Sequence, residues 1–159
     1  MQQQLWRTEL QLRYFLDTEF NGFGGELISI ALVPEDDSRS HFYEAIACEN
    51  PTPWVAENVL PVLATNPRRR EDVAYRFAQF LIDDEDPVLV ADWPEDIAHA
   101  ARLLVTGPGR MSPVRSLCFL LTDPLIIGPS EAPTVPHNAL EDARALRTTL
   151  LEFERRMTP

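Results

Sequence analysis

The sequence predicts an α/β protein with a mixed central sheet of about five strands, an antiparallel meander at one edge and helices on its faces. Three observations predict it. Apolar runs separated by polar turns succeed one another through residues 12–47. A continuous apolar run, Val88-Leu89-Val90-Ala91, passes straight into a helix start at Pro94. A long amphipathic segment, 138–156, closes the chain.

Residues 1–11 are polar, lack a clear period and read as a short extension in front of the first strand, 12–18. The turn Asn21-Gly22-Phe23-Gly24-Gly25 joins that strand to a hairpin partner, 26–33, and a third strand at 41–47 completes the meander. From Pro51 the pattern is helical, with Trp54, Val55, Val59 and Leu60 at helical spacing until Pro61 interrupts. A second helix spans 70–82 on a buried stripe of Val73, Phe77, Phe80 and Leu81, and the acid run Asp83-Asp84-Glu85-Asp86 follows it as a solvated loop. Val88–Ala91 has the unbroken apolar character of a central strand covered on both faces. Pro94 suits the first turn of a helix running to about residue 105, where Gly107-Pro108-Gly109 breaks it. The last strand is expected at 116–121, an ordered but mobile proline-rich loop at 122–136, and then the final helix, with Leu140, Ala143, Leu146, Leu150 and Phe153 facing inward.

At 159 residues the chain is long enough to bury a sizeable core and reads as one domain, 1–159. No basic segment precedes an apolar run at the N-terminus, and no stretch approaches the ~18 apolar residues of a membrane span, which predicts a cytoplasmic protein. Cys48 and Cys118 form no Cys-x-x-Cys pair and are expected to be buried thiols. A balance of 14 basic to 25 acidic residues, net −11, argues against coating duplex nucleic acid but leaves room for an enzyme that grips one end. The arginines cluster at Arg68-Arg69-Arg70, then recur at Arg102, Arg110 and Arg115; the triplet reads first as a solvated helix start.

Chemistry enters at Tyr14-Phe15-Leu16-Asp17-Thr18-Glu19-Phe20. In a regular strand Asp17 and Glu19 point to one face, setting two negative charges close together at the end of an apolar run. That arrangement costs energy unless a cation neutralises it, and hard divalent ions are the usual remedy. A second strand-to-helix junction carries Asp92, Glu95 and Asp96, residue types that also cap helix starts. A third group, Pro136-His137-Asn138-Ala139-Leu140-Glu141-Asp142-Ala143-Arg144, sets a histidine before the last helix and an aspartate in its second turn. Each group alone has a structural explanation, a cap or a helix-face ion pair.

Their joint order resembles the DEDDh exonucleases of the RNase H-like superfamily, which includes proofreading subunits and oligoribonuclease. Asp17-Thr18-Glu19 matches the first motif, Asp96 the second, and His137 with Asp142 the third. Asp96 is preferred to Asp92 because the second motif has the form Asn-x-x-x-Asp; here Asp92 stands at the Asn position and Glu95 where an aromatic is usual. More narrowly, the chain is similar to the compact bacterial and phage 3′ to 5′ exoribonuclease family first described in mycobacteria. Phe15 to Phe20, Phe42-Tyr43, Trp54-Val55 with Val59-Leu60-Pro61, Ala91-Asp92 and His137 to Ala143 carry that likeness, which covers nearly all of residues 13–153.

The resemblance implies a three-layer RNase H-like fold. It also implies a site in which Asp17, Glu19, Asp96 and Asp142 gather two Mg2+ or Mn2+ ions for in-line displacement at phosphorus, with His137 as general base. Nucleoside 5′-monophosphates would leave the 3′ ends of single-stranded RNA, with DNA not excluded, and a homodimer is a common form. Phe20 and Trp93, next to the proposed ligands, could stack the terminal base or pack at the rim. Two other functions share these residues: a nucleic-acid or partner-binding module that no longer cleaves, and a phosphodiesterase of dinucleotides and short oligonucleotides.

Overall fold

The computed structural model describes residues 11–127 and 132–158. In chain order the elements are β1 (Arg13–Phe20), β2 (Leu27–Pro34), β3 (Phe42–Ala45), α1 (Pro53–Asn58), a 3-10 turn (Leu60–Val62), α2 (Arg70–Ile82), β4 (Val88–Ala91), α3 (Pro94–Leu103), β5 (Val105–Gly107), β6 (Arg110–Met111), β7 (Cys118–Leu121), α4 (Pro124–Ile127) and α5 (Ala139–Met157). The main sheet has five strands in the order β3-β2-β1-β4-β7. It is antiparallel through β1, β2 and β3, and parallel through β1, β4 and β7. The mixed α/β sheet with its antiparallel edge meander is therefore as expected.

Alternation along β1 divides the core between the two faces of the sheet. Tyr14 and Leu16 pack with Val73, Phe77 and Leu81 of α2 and with Ala100 and Leu103 of α3. Phe15 points the other way, with Val90 of β4, onto Ala143, Leu146 and Leu150 of α5. Burying each of these larger apolar side chains contributes about 1.5–3 kcal/mol, so both helical layers are held by transfer from water. A smaller cluster of Val55, Val59 and Leu63 packs on Ile28 and Ala45 at the far edge. Among the described residues, no helix is long and apolar enough to cross a membrane.

Several local expectations need correction. β1 continues two residues beyond Thr18, through Glu19 and Phe20, because β2 keeps pairing with it as far as Leu27. Helix α3 stops at Leu103, and the Gly107-Pro108-Gly109 segment becomes the turn of a β5–β6 hairpin in which Gly109 takes φ +64°. Of the α1 residues at helical spacing, Val55 turns inward, while the Trp54 indole is 53% exposed. Cys48 is half-buried and Cys118 exposed, both free; Cys118 lies on β7, an edge strand covered on one side only. The acid run after α2 is only partly solvated, since Asp84 accepts a hydrogen bond from the Tyr14 hydroxyl at 2.8 Å. The proline-rich loop contains the short helix α4, while its residues 128–131, like the N-terminal residues 1–10, lie outside the described residues.

Candidate active site

The site begins where β1 outruns its parallel neighbour. Phe15 is in register with Val90, so Asp17 falls level with Asp92, where β4 has ended and the chain is turning into α3. The strand stays regular through Glu19, and an irregularity in register comes only between Glu19 and Phe20. Asp17 and Glu19 consequently share the α5 face, opposite Ala31 and Ser29 of β2. Those small partners leave space above the carboxylates, and α5 brings Asp142 into it. Ligand oxygens of Asp17, Glu19 and Asp142 all lie within 4.8 Å of one another.

Asp96 enters from α3 and is held by Thr18, whose backbone N–H and Oγ1 both donate to its Oδ1, at 3.2 and 2.6 Å. It stays outside the tight group of three, yet among the neighbouring charges acting on Asp17 it is the largest, whereas Asp92 is the smallest. Glu95 plays a structural part instead. Its carboxylate accepts from Gly24 N–H at 3.3 Å and from Trp93 Nε1 at 3.0 Å, tying the 21–25 turn to the start of α3. That turn needs glycine, since a Cβ on Gly25 would lie 2.0 Å from the Asn21 carbonyl oxygen.

His137 occupies the residue before the α5 N-cap, with φ +64°, and its exposed ring meets Trp54 edge-on at 4.9 Å between centroids. Asn138 fixes this corner. Its Oδ1 accepts from Leu140 and Glu141 N–H at 3.0 and 3.2 Å, capping α5, while its Nδ2 donates to the Val62 carbonyl at 2.8 Å and to the Tyr43 hydroxyl at 3.3 Å. One buried amide thus anchors both His137 and Asp142 to the edge of the sheet.

Electrostatically the site is unsatisfied. Burial, then repulsion from Asp96, Asp142 and Glu19, pushes Asp17 well above the ordinary carboxylate range. Burial, then Asp142, pushes Glu19 up to about 8, and burial raises Asp96 to about 7 against the pull of Thr18. Asp142 is raised as well, chiefly by burial; a hydrogen bond with Glu19, and after it His137, pull the other way. Asp17 Oδ2 is buried without a hydrogen-bond partner. Four carboxylates cannot all ionise here unassisted. A hard divalent cation fits the donor set: it takes carboxylate oxygens as ligands and would occupy the direction in which Asp17 Oδ2 has no partner.

The cleft beside these acids measures about 410 Å3 and is walled by Phe20, Phe23, Trp54, Trp93, Glu95 and Asp96 among others. Phe20 packs on His99 at 4.9 Å between ring centroids and lines the wall, whereas Trp93 stays 54% exposed at the rim. Sequence reasoning missed the Trp54 contact with His137, the Tyr43–Asn138 tie and the clamp of Thr18 on Asp96. Only the Asn138 cap had a local signal, an Asn directly before an amphipathic run. The chain matches no family model, and no curated protein matches it in sequence.

Proposed function

We propose that this chain is a metal-dependent 3′ to 5′ exoribonuclease of RNase H-like fold that releases nucleoside 5′-monophosphates from single-stranded RNA ends. The observation that carries the proposal is the meeting of Asp17, Glu19 and Asp142 within 4.8 Å, with Asp17 Oδ2 buried and unpartnered. These three, with Asp96 alongside, would hold two Mg2+ or Mn2+ ions. When bound, such a pair stabilises both the attacking and the leaving oxygen of a displacement at phosphorus. The carboxylates then stay ionised, because the cations offset the repulsion that otherwise keeps them protonated. His137 takes the proton of the attacking water, its ring braced by Trp54 and its backbone by the Asn138 corner. Trp93, and with it Trp54 and Phe23, offers exposed ring faces to the terminal base. A cytoplasmic setting belongs to the same proposal.

The small cleft favours one further reading, a phosphodiesterase acting on dinucleotides, which relative turnover of a dinucleotide and a longer oligomer would separate. The deciding experiment uses 5′-labelled single-stranded RNA with Mn2+ or Mg2+, beside EDTA and Asp17→Asn. A ladder shortening from the 3′ end is expected, abolished by EDTA and slowed about a thousandfold by the variant, the size of several kcal/mol of lost charge stabilisation. RNA left intact by the wild type with either ion sinks the proposal.

A further inference from the structure

The 21–25 turn borders a second cleft, about 640 Å3, which gathers arginines. Arg68, Arg69, Arg70 and Arg102 line it, with His99 beside them and the exposed Glu26, Glu49 and Glu71 as the only acids among its lining residues. In a chain of net −11, four of the fourteen basic residues meet in this one concavity, beside three glutamates.

The four arginines are not equivalent. Arg68 Nε donates to Glu44 at 2.9 Å, and Arg69 pairs with Asp72 one turn along α2 at 3.1 Å, so those two charges are answered within the fold. Arg70 and Arg102 form no ion pair among the described residues; the His99 pKa is lowered first by burial, raised in part by Glu95, and lowered further by these two arginines. Two guanidiniums on different helices, α2 and α3, line one region, and an anion seated between them would be attracted by both. His99 is only 8% exposed, has no hydrogen-bond partner among the described residues and lines the cleft while its other face carries Phe20. Phe20 lines the acidic cleft in turn, so His99 and Phe20 form a stacked pair between the two.

We infer that this arginine cleft binds the phosphodiester backbone of a single-stranded nucleic acid, with Arg70 and Arg102 contacting consecutive phosphates upstream of the end held at the acidic cluster. Guanidinium suits such binding because its planar fork donates two parallel hydrogen bonds to a phosphate. The placement of the 3′ end rests on the nuclease reading above, whereas the cleft's affinity for a phosphate chain stands by itself. It also accounts for how so acidic a protein could hold a polyanion: the interaction is confined to one groove, and the remaining surface repels.

The test measures binding without metal or turnover. Anisotropy of a short fluorescein-labelled single-stranded RNA, in EDTA at several salt concentrations, would compare wild type with Arg70→Gln/Arg102→Gln and with Arg155→Gln/Arg156→Gln, which removes the same charge at the far end of α5. The cleft variant should bind about tenfold more weakly. The slope of log affinity against log salt should fall by about 1.4, roughly 0.7 for each phosphate no longer neutralised. The α5 control should retain wild-type binding, and thermal melts of both variants should overlay the wild type. Where hydrolysis is observed, the cleft variant should raise KM more for a longer oligomer than for a dinucleotide. Unaltered affinity and slope in the cleft variant, or an equal loss in the α5 control, overturns the inference. Weakened binding in the cleft variant alone, in a protein that cuts nothing, upholds the cleft while removing the nuclease reading.

Discussion

Strand β1 buries charge at both ends, and the two ends are handled in opposite ways. At its start the Arg13 side chain, 8% exposed, lies between Glu35 and Glu154, with N–O distances of 2.8 and 2.6 Å. Burial disfavours the charged guanidinium, but the hydrogen bonds and charges of Glu154 and Glu35 more than offset this and raise its pKa above the ordinary value. Four residues further on, Asp17 and Glu19 meet Asp142, no arginine pairs with them among the described residues, and every carboxylate in the group is pushed toward its protonated form. The first arrangement is complete within the chain. The second is left in mutual repulsion, which protons relieve and which, on the reading proposed above, a cation from outside would relieve.

The largest test of that contrast is at Arg13. Arg13→Met leaves Glu35 and Glu154 facing each other without their cation, and a loss of about 3 kcal/mol is expected in denaturant melts, toward the low end for a broken buried pair because the Glu154 side chain remains 41% exposed. A loss below about 1 kcal/mol would mean that this end of β1 is no better satisfied than the other.

Next in size is the response of the acidic end to pH and ions. Glu19, at about 8 in the fold against a usual 4.5, holds a proton that the unfolded chain releases between those values. The native state therefore binds more protons over that interval, and metal-free stability should be full below about pH 4.5 and fall, by a few kcal/mol, as pH rises toward 8. Mn2+ or Mg2+ should restore the melting temperature at pH 8 and do little at pH 5, where protons compete. Asp17→Asn should be more stable than wild type in EDTA at pH 8 and lose the ion-dependent gain. A flat pH profile in EDTA would erase the distinction between the two ends.

The smallest effect is expected at the corner that presents Asp142 to β1. Asn138→Ala removes the α5 cap and the bond to Val62, which should cost about 1–2 kcal/mol. Because His137 and Asp142 flank this residue, any activity should fall by more than stability alone explains; activity unchanged at full folding would show that His137 needs no such anchor.

Much of this was legible beforehand, and the pattern of success follows the range of the forces involved. The five strands and the long helices α2 and α5 were placed to within about three residues, because period-2 and period-3.6 apolar patterns reflect faces that each element buries on its own. Cys118 went wrong for a tertiary reason: an apolar residue is buried only if another element covers it, and the β7 edge is not covered there. The β5–β6 hairpin was hidden in a Gly-Pro-Gly segment that reads equally well as a simple break. At the site, Asp17 and Glu19 could be read as a pair because one strand carries both. Nothing local, by contrast, distinguishes Arg70 and Arg102 from the arginines whose charges are answered by Glu44 and Asp72.

The sequence by itself determined the direction of side chains along each element: two acids on one face of β1, a capped amphipathic α5 with Asp142 one turn in, and an apolar β4 ending at Asp92. Only the tertiary structure decided which charges meet. Asp142 joins Asp17 across 125 residues of chain, Glu154 joins Arg13 across 141, and Thr18 clamps Asp96 across 78. A strand's period constrains the face on which a charge lies, whereas its partner is set by packing of distant elements on that face, and it is the partner that separates a satisfied charge from one left in repulsion.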